Sequence, residues 1–372
     1  MDNSPNGEIS EFRGNRPKTV PTLHAWHLRA LAESVLEPEL PIVDAHHHLY
    51  GAVTDDQHYR IDDLLKDVSS GHRVMGTVYV EAYSSAWRLD GPPSMHSLGE
   101  VDMIVGVSSQ ARSEAHGACQ VAAGIVSNVD LTLGIGAAAV LEAHTEAAQG
   151  RLRGVRVHAT WDPGPVGRFT HSAPQHLLAD TRFRQGFALL ERFDLSFDAL
   201  VFHTQLAEVA ALADAFPHTR IVLNHVGTVL GVAGYRAHRE SVFAVWENNM
   251  RALARRPNIS VKIGGMGMLL FGFGFEYADR PASSSELVQA WEPFIDVCMD
   301  AFGTKRCMFE SNFPVDKQSC SYVALWNAFK LSTLACTDGE RRDLFYRTAC
   351  RTYRLQVLEQ LGDAVRTSGS GH

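Results

Sequence analysis

Positive charge is in short supply in this sequence and never forms a run. Lys and Arg number 34 against 42 Asp and Glu, which leaves a net charge of −8. Binding to nucleic acid or to an anionic membrane surface depends on a basic face, so neither is expected as a partner. No apolar stretch is long enough to cross a bilayer, and the first twenty residues are polar, with no apolar core of a secretory signal. The six cysteines (Cys119, Cys298, Cys307, Cys320, Cys336 and Cys350) lack paired spacing. That argues against a disulfide frame or a zinc ribbon and for reduced thiols in a cytoplasmic protein. A glycine-rich G-x-G-x-x-G turn is also missing after the first apolar strand, which weakens a dinucleotide-binding reading.

What is present is a rhythm. Short runs rich in β-branched residues recur at 41–48, 73–81, 120–126, 154–158, 197–203, 220–225, 259–263 and 306–310. Between them, 98–117, 137–149, 175–193, 205–216, 237–256 and 285–303 carry apolar residues at helical spacing. Strands alternating with helices imply a parallel sheet covered by helices, and eight such strands fit an α/β fold of the (β/α)8 TIM-barrel type. The expected organisation is an N-terminal extension over 1–40 with a helix at Leu23–Leu36, a barrel over 41–360 and a flexible tail over 361–372. Insertions at 82–97, 159–174 and 264–284 each follow a strand, so in a barrel they lie on the C-terminal face, where active sites are built.

Ionisable and metal-binding side chains collect at the same strand ends. The first strand finishes in Asp44-Ala45-His46-His47-His48. Strict alternation would point Asp44, His46 and His48 one way and Ala45 and His47 the other, so two imidazoles could pinch one cation. Later strands supply Glu81, Arg156, His158, His203, His225, Lys262, Glu310 and Asn312. Strands buried on both faces are normally apolar, so polar ends on seven of them need a reason. Arg156 and Lys262 are expected in ion pairs with Asp44 or Glu81, or holding a substrate carboxylate, or stabilising an oxyanion. Tyr83, Trp161, Met266 and Phe271 lie in the insertions and are expected, with Arg156 and His158, to bind a small carboxylate-bearing or aromatic substrate. The glycine-rich apolar stretch from Ile263 to Phe275 is expected to form a flexible wall or lid, with a subunit contact as the competing use.

These motifs, namely Asp-x-His-His-His-Leu at 44–49, Gly-Val-Arg-x-His at 154–158, Leu-Asn-His-Val-Gly at 223–227, Val-Lys-Ile-Gly-Gly at 261–265 and Arg-Cys-Met-Phe-Glu-Ser-Asn-Phe-Pro at 306–314, resemble the amidohydrolase superfamily. More narrowly they resemble its amidohydrolase-2 branch, which includes sugar-acid lactonases and 2-pyrone-4,6-dicarboxylate lactonase. The resemblance spans residues 23 to 355. It implies a hydrolase attacking a lactone, ester or amide carbonyl with water, with His46, His48, His225 and His203 as candidate ligands of a divalent metal. Zinc suits an all-imidazole set, manganese is the alternative, and some lactonases of the branch use none.

One departure stands out. The branch commonly closes its eighth strand with Ser-Asp-x-Pro, the aspartate being the base; this chain has Ser311-Asn312-Phe313-Pro314, and an amide is no base at neutral pH. Glu310 is set aside as alternating to the opposite face. Proton transfer is therefore expected from His203 or Glu81, with Lys262 and Asn312 completing the catalytic set. A metal-dependent decarboxylase of an aromatic acid, and a catalytically weakened ligand-binding member, are the alternatives. A homodimer paired through outer helices is the expected assembly.

Overall fold

The structure is a computed structural model that describes residues 17–83, 86–113, 119–170 and 173–364. Eight strands, β1 (Ile42–His47), β2 (Val74–Val80), β3 (Gln120–Asn128), β4 (Leu152–His158), β5 (Ser196–Leu200), β6 (Ile221–Leu223), β7 (Ile259–Ile263) and β8 (Cys307–Phe309), pair in sequence order. Every neighbouring pair is parallel. The ring closes through the residues just past β8: Asn312 N–H donates to the His46 carbonyl at 2.9 Å and His48 N–H to the Phe313 carbonyl at 2.8 Å. Closure thus fixes the backbone on both sides of the histidine cluster. This is the (β/α)8 barrel that the alternating pattern implies, with helices such as Leu98–Ser113, Ala137–Ala147, Leu206–Ala215, Arg239–Leu253 and Ser284–Phe302 between strands. Residues 114–118, of which 114–117 belong to the helical segment expected over 98–117, 84–85 and 171–172 of two insertions, and 1–16 and 365–372 at the ends lie outside the described residues.

Two apolar layers hold the ring. The larger packs outward-facing strand residues such as Ile42, Val121, Phe197 and Val261 against the helices. The smaller fills the barrel: Val43, Ala45, Val78, Val80, Val126, Val222 and Met308 come from strands that can meet only across its axis. Tyr346, Cys350, Tyr353, Leu355 and Leu358 belong to the same cluster, so the C-terminal helices plug the end of the barrel opposite the insertions. Glycines make room for the plug, since a Cβ on Gly76 would lie 2.4 Å from Leu358 Cδ1.

The N-terminal expectation needs correcting. The helix is Val20–His27, not Leu23–Leu36. Beyond it the chain runs irregularly along the helices Ser284–Phe302 and Tyr322–Leu331, where Glu33 accepts from Ser284 N–H at 2.8 Å and Leu36 N–H donates to Asn327 Oδ1 at 2.9 Å. Backbone groups satisfied by neighbouring side chains do not need a helix, and Leu28 and Leu31, which the helical spacing had counted as apolar anchors, are exposed.

Candidate active site

The strand that carries the histidines does not alternate cleanly. Ala45 faces the barrel axis with Val43, and His46 faces it too, because the pairing register shifts between Asp44 and His47. An irregularity of this kind puts two consecutive side chains on one side. Asp44 stabilises it by accepting from His46 N–H at 3.3 Å. Asp44 itself therefore points outward, corrected from the expected alternation: it accepts from Ser311 N–H at 2.8 Å and Tyr322 hydroxyl at 3.1 Å. Burial pushes its carboxyl up to about 6. His47 also faces outward, with Nε2 2.9 Å from Thr77 Oγ1.

Around the axis a continuous polar network forms. His46 Nε2 lies 3.1 Å from His48 Nε2 and 3.2 Å from an Arg156 terminal nitrogen. His46 Nδ1 lies 2.8 Å from Glu310 Oε2 and 3.2 Å from Lys262 Nζ. Glu310 Oε1 is 2.6 Å from His225 Nδ1, and His48 Nδ1 is 2.8 Å from the Val80 carbonyl. Burial, followed by the nearby cations, holds His46 and His48 well below the ordinary histidine range, so both are neutral. His46, His225 and Glu310 are the group among the described residues whose ligand atoms come together as a cation would require.

Each buried cation is already matched. Arg156 Nε donates to Glu81 Oε1 at 2.6 Å and another of its nitrogens donates to the Glu81 carbonyl. Burial pushes the Glu81 carboxyl up, but Arg156 and His158 outweigh it and hold the group down to about 2. Lys262 pairs with Asp198, Nζ to Oδ2 at 2.8 Å, rather than with Asp44 or Glu81. Asp198 in turn accepts from the Tyr353 hydroxyl at 2.9 and 3.1 Å and from Asn224 Nδ2 at 3.1 Å. The plug of the barrel is thereby wired to the histidines.

Two residues are not where the sequence reading put them. The Asn312 side chain turns away, with Nδ2 donating to Asp316 Oδ1 at 2.9 Å. Asp316 also accepts from Gly267 N–H at 2.9 Å, which clasps the loops after β7 and β8 together, and burial pushes its carboxyl up to about 8. Glu310, set aside earlier, takes the central place. Glu310 stands two residues past Met308, which fills the barrel, so alternation rightly applied keeps it on the inner face; Asn312, two further on, would share that face, but the strand ends at Phe309 and Asn312 turns into the left-handed region at φ 53°.

His203 sits apart from the cluster. Its Nδ1 accepts from Leu230 N–H at 3.3 Å and its ring meets Tyr235 edge-on at 5.4 Å. That bond leaves the proton on Nε2, so His203 presents a donor, not a base. Burial lowers its pKa to about 4.

The outer mouth is aromatic. Tyr83, 51% exposed, stacks on Trp87 at 4.9 Å and meets His158 edge-on at 4.8 Å. His158 Nε2 lies 3.2 Å from Glu81 Oε1, with its side chain 31% exposed. Trp161 is half-buried, its backbone N–H bonded to Gln205 Oε1 at 2.9 Å. Met266 and Phe271, expected on the substrate, are instead in the packed core, and Phe271 packs on Phe273 and Phe294. The stretch after β7 is a packed wall and not a loose lid. Two of its glycines serve close approach: a Cβ on Gly264 would lie 2.4 Å from Glu310 Cγ, and one on Gly265, at φ +66°, 2.3 Å from His225 Nδ1.

A family model described as amidohydrolase matches residues 43–355. The chain belongs to the amidohydrolase family. It is a hydrolase of the amidohydrolase type. Uncharacterized protein y4mH of Sinorhizobium fredii (strain NBRC 101917 / NGR234) is 30% identical over 329 residues, covering 85% of this chain and 99% of that one. An L-fucono-1,5-lactonase of Burkholderia multivorans (strain ATCC 17616 / 249) is 31% identical over 213 residues, 55% of this chain and 64% of the lactonase. Among solved structures, an amidohydrolase from Burkholderia multivorans with bound zinc superposes with a TM-score of 0.61 at 24% identity, over 84% of this chain and 99% of that one. A putative 2-pyrone-4,6-dicarboxylic acid hydrolase from Pseudomonas putida gives 0.54 at 16%, over 85% and 98%. At these identities the structures speak for the fold of this amidohydrolase. Among the described residues no helix is long and apolar enough to cross a membrane.

Proposed function

We propose that this amidohydrolase opens the ring ester of a small lactone at the C-terminal mouth of its barrel, with a divalent cation held by His46, His48 and His225. The observation that carries the reading is the convergence of imidazoles: two Nε2 atoms 3.1 Å apart, in a buried pocket where Glu310 Oε2 faces His46 Nδ1 at 2.8 Å. Two lone pairs that close repel unless a proton or a cation lies between them. His46 is also flanked by Lys262 at one nitrogen and Arg156 at the other, so one of these cations faces an N–H whichever tautomer it adopts. With Nε2 on a divalent ion the proton of His46 sits on Nδ1, where Glu310 Oε2 lies 2.8 Å away to accept it, and a set of three imidazoles suits zinc. Bound there, such an ion supplies polarisation of the scissile carbonyl.

The chain's own residues do the rest. His158 is the group we assign to proton transfer, oriented by Glu81, which Arg156 keeps ionised and immobile. Glu81 itself is too acidic and too tightly paired to act as the base. His203 donates from Nε2 toward developing negative charge. The Tyr83–Trp87 stack offers a flat face for the ring. Because Arg156 and Lys262 are both neutralised inside the network, neither is free to grip a substrate carboxylate, and an uncharged ring ester fits better than a carboxylate-bearing substrate, one of the two classes expected from the sequence.

The test is proton release from a panel of aldonolactones, followed by pH indicator, beside carbon dioxide release from hydroxybenzoates. Lactone turnover that falls about 10²- to 10⁴-fold in His158→Gln supports the reading. Carbon dioxide release without lactone opening would replace it with the decarboxylase alternative.

A further inference from the structure

Glu310 is placed to do more than add a carboxylate to a cation site. An imidazole offers its Nε2 lone pair only while its proton stays on Nδ1, so every histidine that ligates through Nε2 needs an acceptor at Nδ1. For His48 the acceptor is the Val80 carbonyl, 2.8 Å away, which can do nothing but accept. For the other two it is a single carboxylate. Glu310 Oε1 lies 2.6 Å from His225 Nδ1 and Oε2 2.8 Å from His46 Nδ1. We infer that Glu310 is a positioning residue shared by two ligating histidines, holding both in the Nδ1–H tautomer so that the Nε2 of each is left to a cation, and that it is not itself a ligand. The inference rests on the cation site of the proposed function.

Three observations support the sharing over direct ligation. First, the 3.1 Å between the Nε2 atoms of His46 and His48 is close to the roughly 3.3 Å expected of two nitrogens at tetrahedral positions on one zinc. The geometry already suits ligation through Nε2. Second, a Glu310 turned onto the cation would have to release His225 Nδ1, stranding a buried N–H. Third, the backing is built for this pair: Gly264 leaves room for Glu310 Cγ and Gly265 for His225 Nδ1, where any Cβ would lie 2.4 and 2.3 Å away. Lys262 Nζ competes for His46 Nδ1 at 3.2 Å, but it has Asp198 to fall back on at 2.8 Å. Glu310 Oε2 has no other partner, so with Nε2 on a cation the proton of His46 goes to Glu310.

The experiment uses the full chain, stripped with chelator and titrated with zinc or cobalt(II). Glu310→Gln keeps the shape but offers one acceptor oxygen and a donor amide, so it can satisfy one imidazole and opposes the other. The expected result is about 10- to 100-fold weaker zinc binding, still one ion per chain, with the cobalt(II) ligand-field spectrum unchanged at saturation. Unchanged affinity overturns the inference, and so does an altered cobalt spectrum, which would make Glu310 a ligand. Nitrogen-15 NMR of histidine-labelled, zinc-loaded wild type reads the tautomers without any variant: protons on Nδ1 of His46 and His225 support the assignment, and a proton on Nε2 of either overturns it. A wild type that binds neither ion overturns the cation site itself, an outcome distinct from failure at Glu310 alone.

Discussion

Replacing Lys262 by Met should be among the most damaging single changes to stability, and the network allows the size to be worked out. Lys262 is fully buried, with Nζ 2.8 Å from Asp198 Oδ2, 3.2 Å from His46 Nδ1 and 5.2 Å over the Tyr353 ring. Methionine keeps most of the stem and removes the charge. Breaking a buried ion pair from one side costs about 3–5 kcal/mol, because the partner is left charged in a poor solvent. Asp198 is not wholly abandoned, since the Tyr353 hydroxyl at 2.9 Å and Asn224 Nδ2 at 3.1 Å still donate to it. The lower end, about 3 kcal/mol, is therefore expected, from a total on the order of 5–15 kcal/mol. Asp198→Asn should cost a similar amount by stranding Lys262. The double variant should be less damaged than the sum, by about 0.5–3 kcal/mol, because neither charge is left alone. Urea unfolding followed by tryptophan fluorescence and by circular dichroism gives the three values. A Lys262→Met protein within about 0.5 kcal/mol of wild type, or strict additivity in the double variant, would refute the claim that the pair is coupled.

Gly265→Ala places a Cβ 2.3 Å from His225 Nδ1 at φ +66°, and should cost more than about 1 kcal/mol and weaken zinc binding. Gly303→Ala, with the same sign of φ but open space around it, should show the backbone cost alone, and melting curves with zinc titration compare them. Asp316, raised to about 8 by burial, keeps its proton in the folded chain while the unfolded chain gives it up near 3.8. Its contribution to stability is full below that lower value and is lost as pH rises toward 8, by at most about 1.4 kcal/mol per pH unit. Asp316→Asn should flatten that decline in urea midpoints measured from pH 4 to 8. Tyr83→Ala should raise KM for a lactone with little change in kcat, and Tyr83→Phe should restore it, since the ring and not the hydroxyl stacks on Trp87.

The barrel was legible because its signal is periodic: each strand is a short apolar run and each helix a stripe. The histidines were legible because a cluster such as His46-His47-His48 has few uses at the end of a buried strand. Other parts were not. The face of Asp44 depends on a register shift, and a rule of strict alternation cannot show one. Glu310 was legible from its two-residue spacing to Met308 and was given the wrong face; Asn312 leaves the site because the strand stops at Phe309, a boundary that no residue type marks. Asp198 was missed although it stands alone in the apolar strand Ser196–Leu200; a charge in mid-strand was the available sign. Nothing near Tyr353 in the sequence ties it to a site whose other members lie far upstream. Its hydroxyl reaches Asp198 only because the C-terminal helices fill the barrel.

That plug sets the order in which the site can come into being. The chain leaves the ribosome with His46 and His48 first, then Arg156, Asp198, His225, Lys262 and Glu310, and with Tyr353 last. Contacts so distant in sequence form late and slowly. Until the final helices dock, Asp198 lacks its tyrosine and the barrel lacks a floor. The early histidines therefore spend synthesis on a short strand without the arginine, lysine and carboxylates that surround them in the finished barrel.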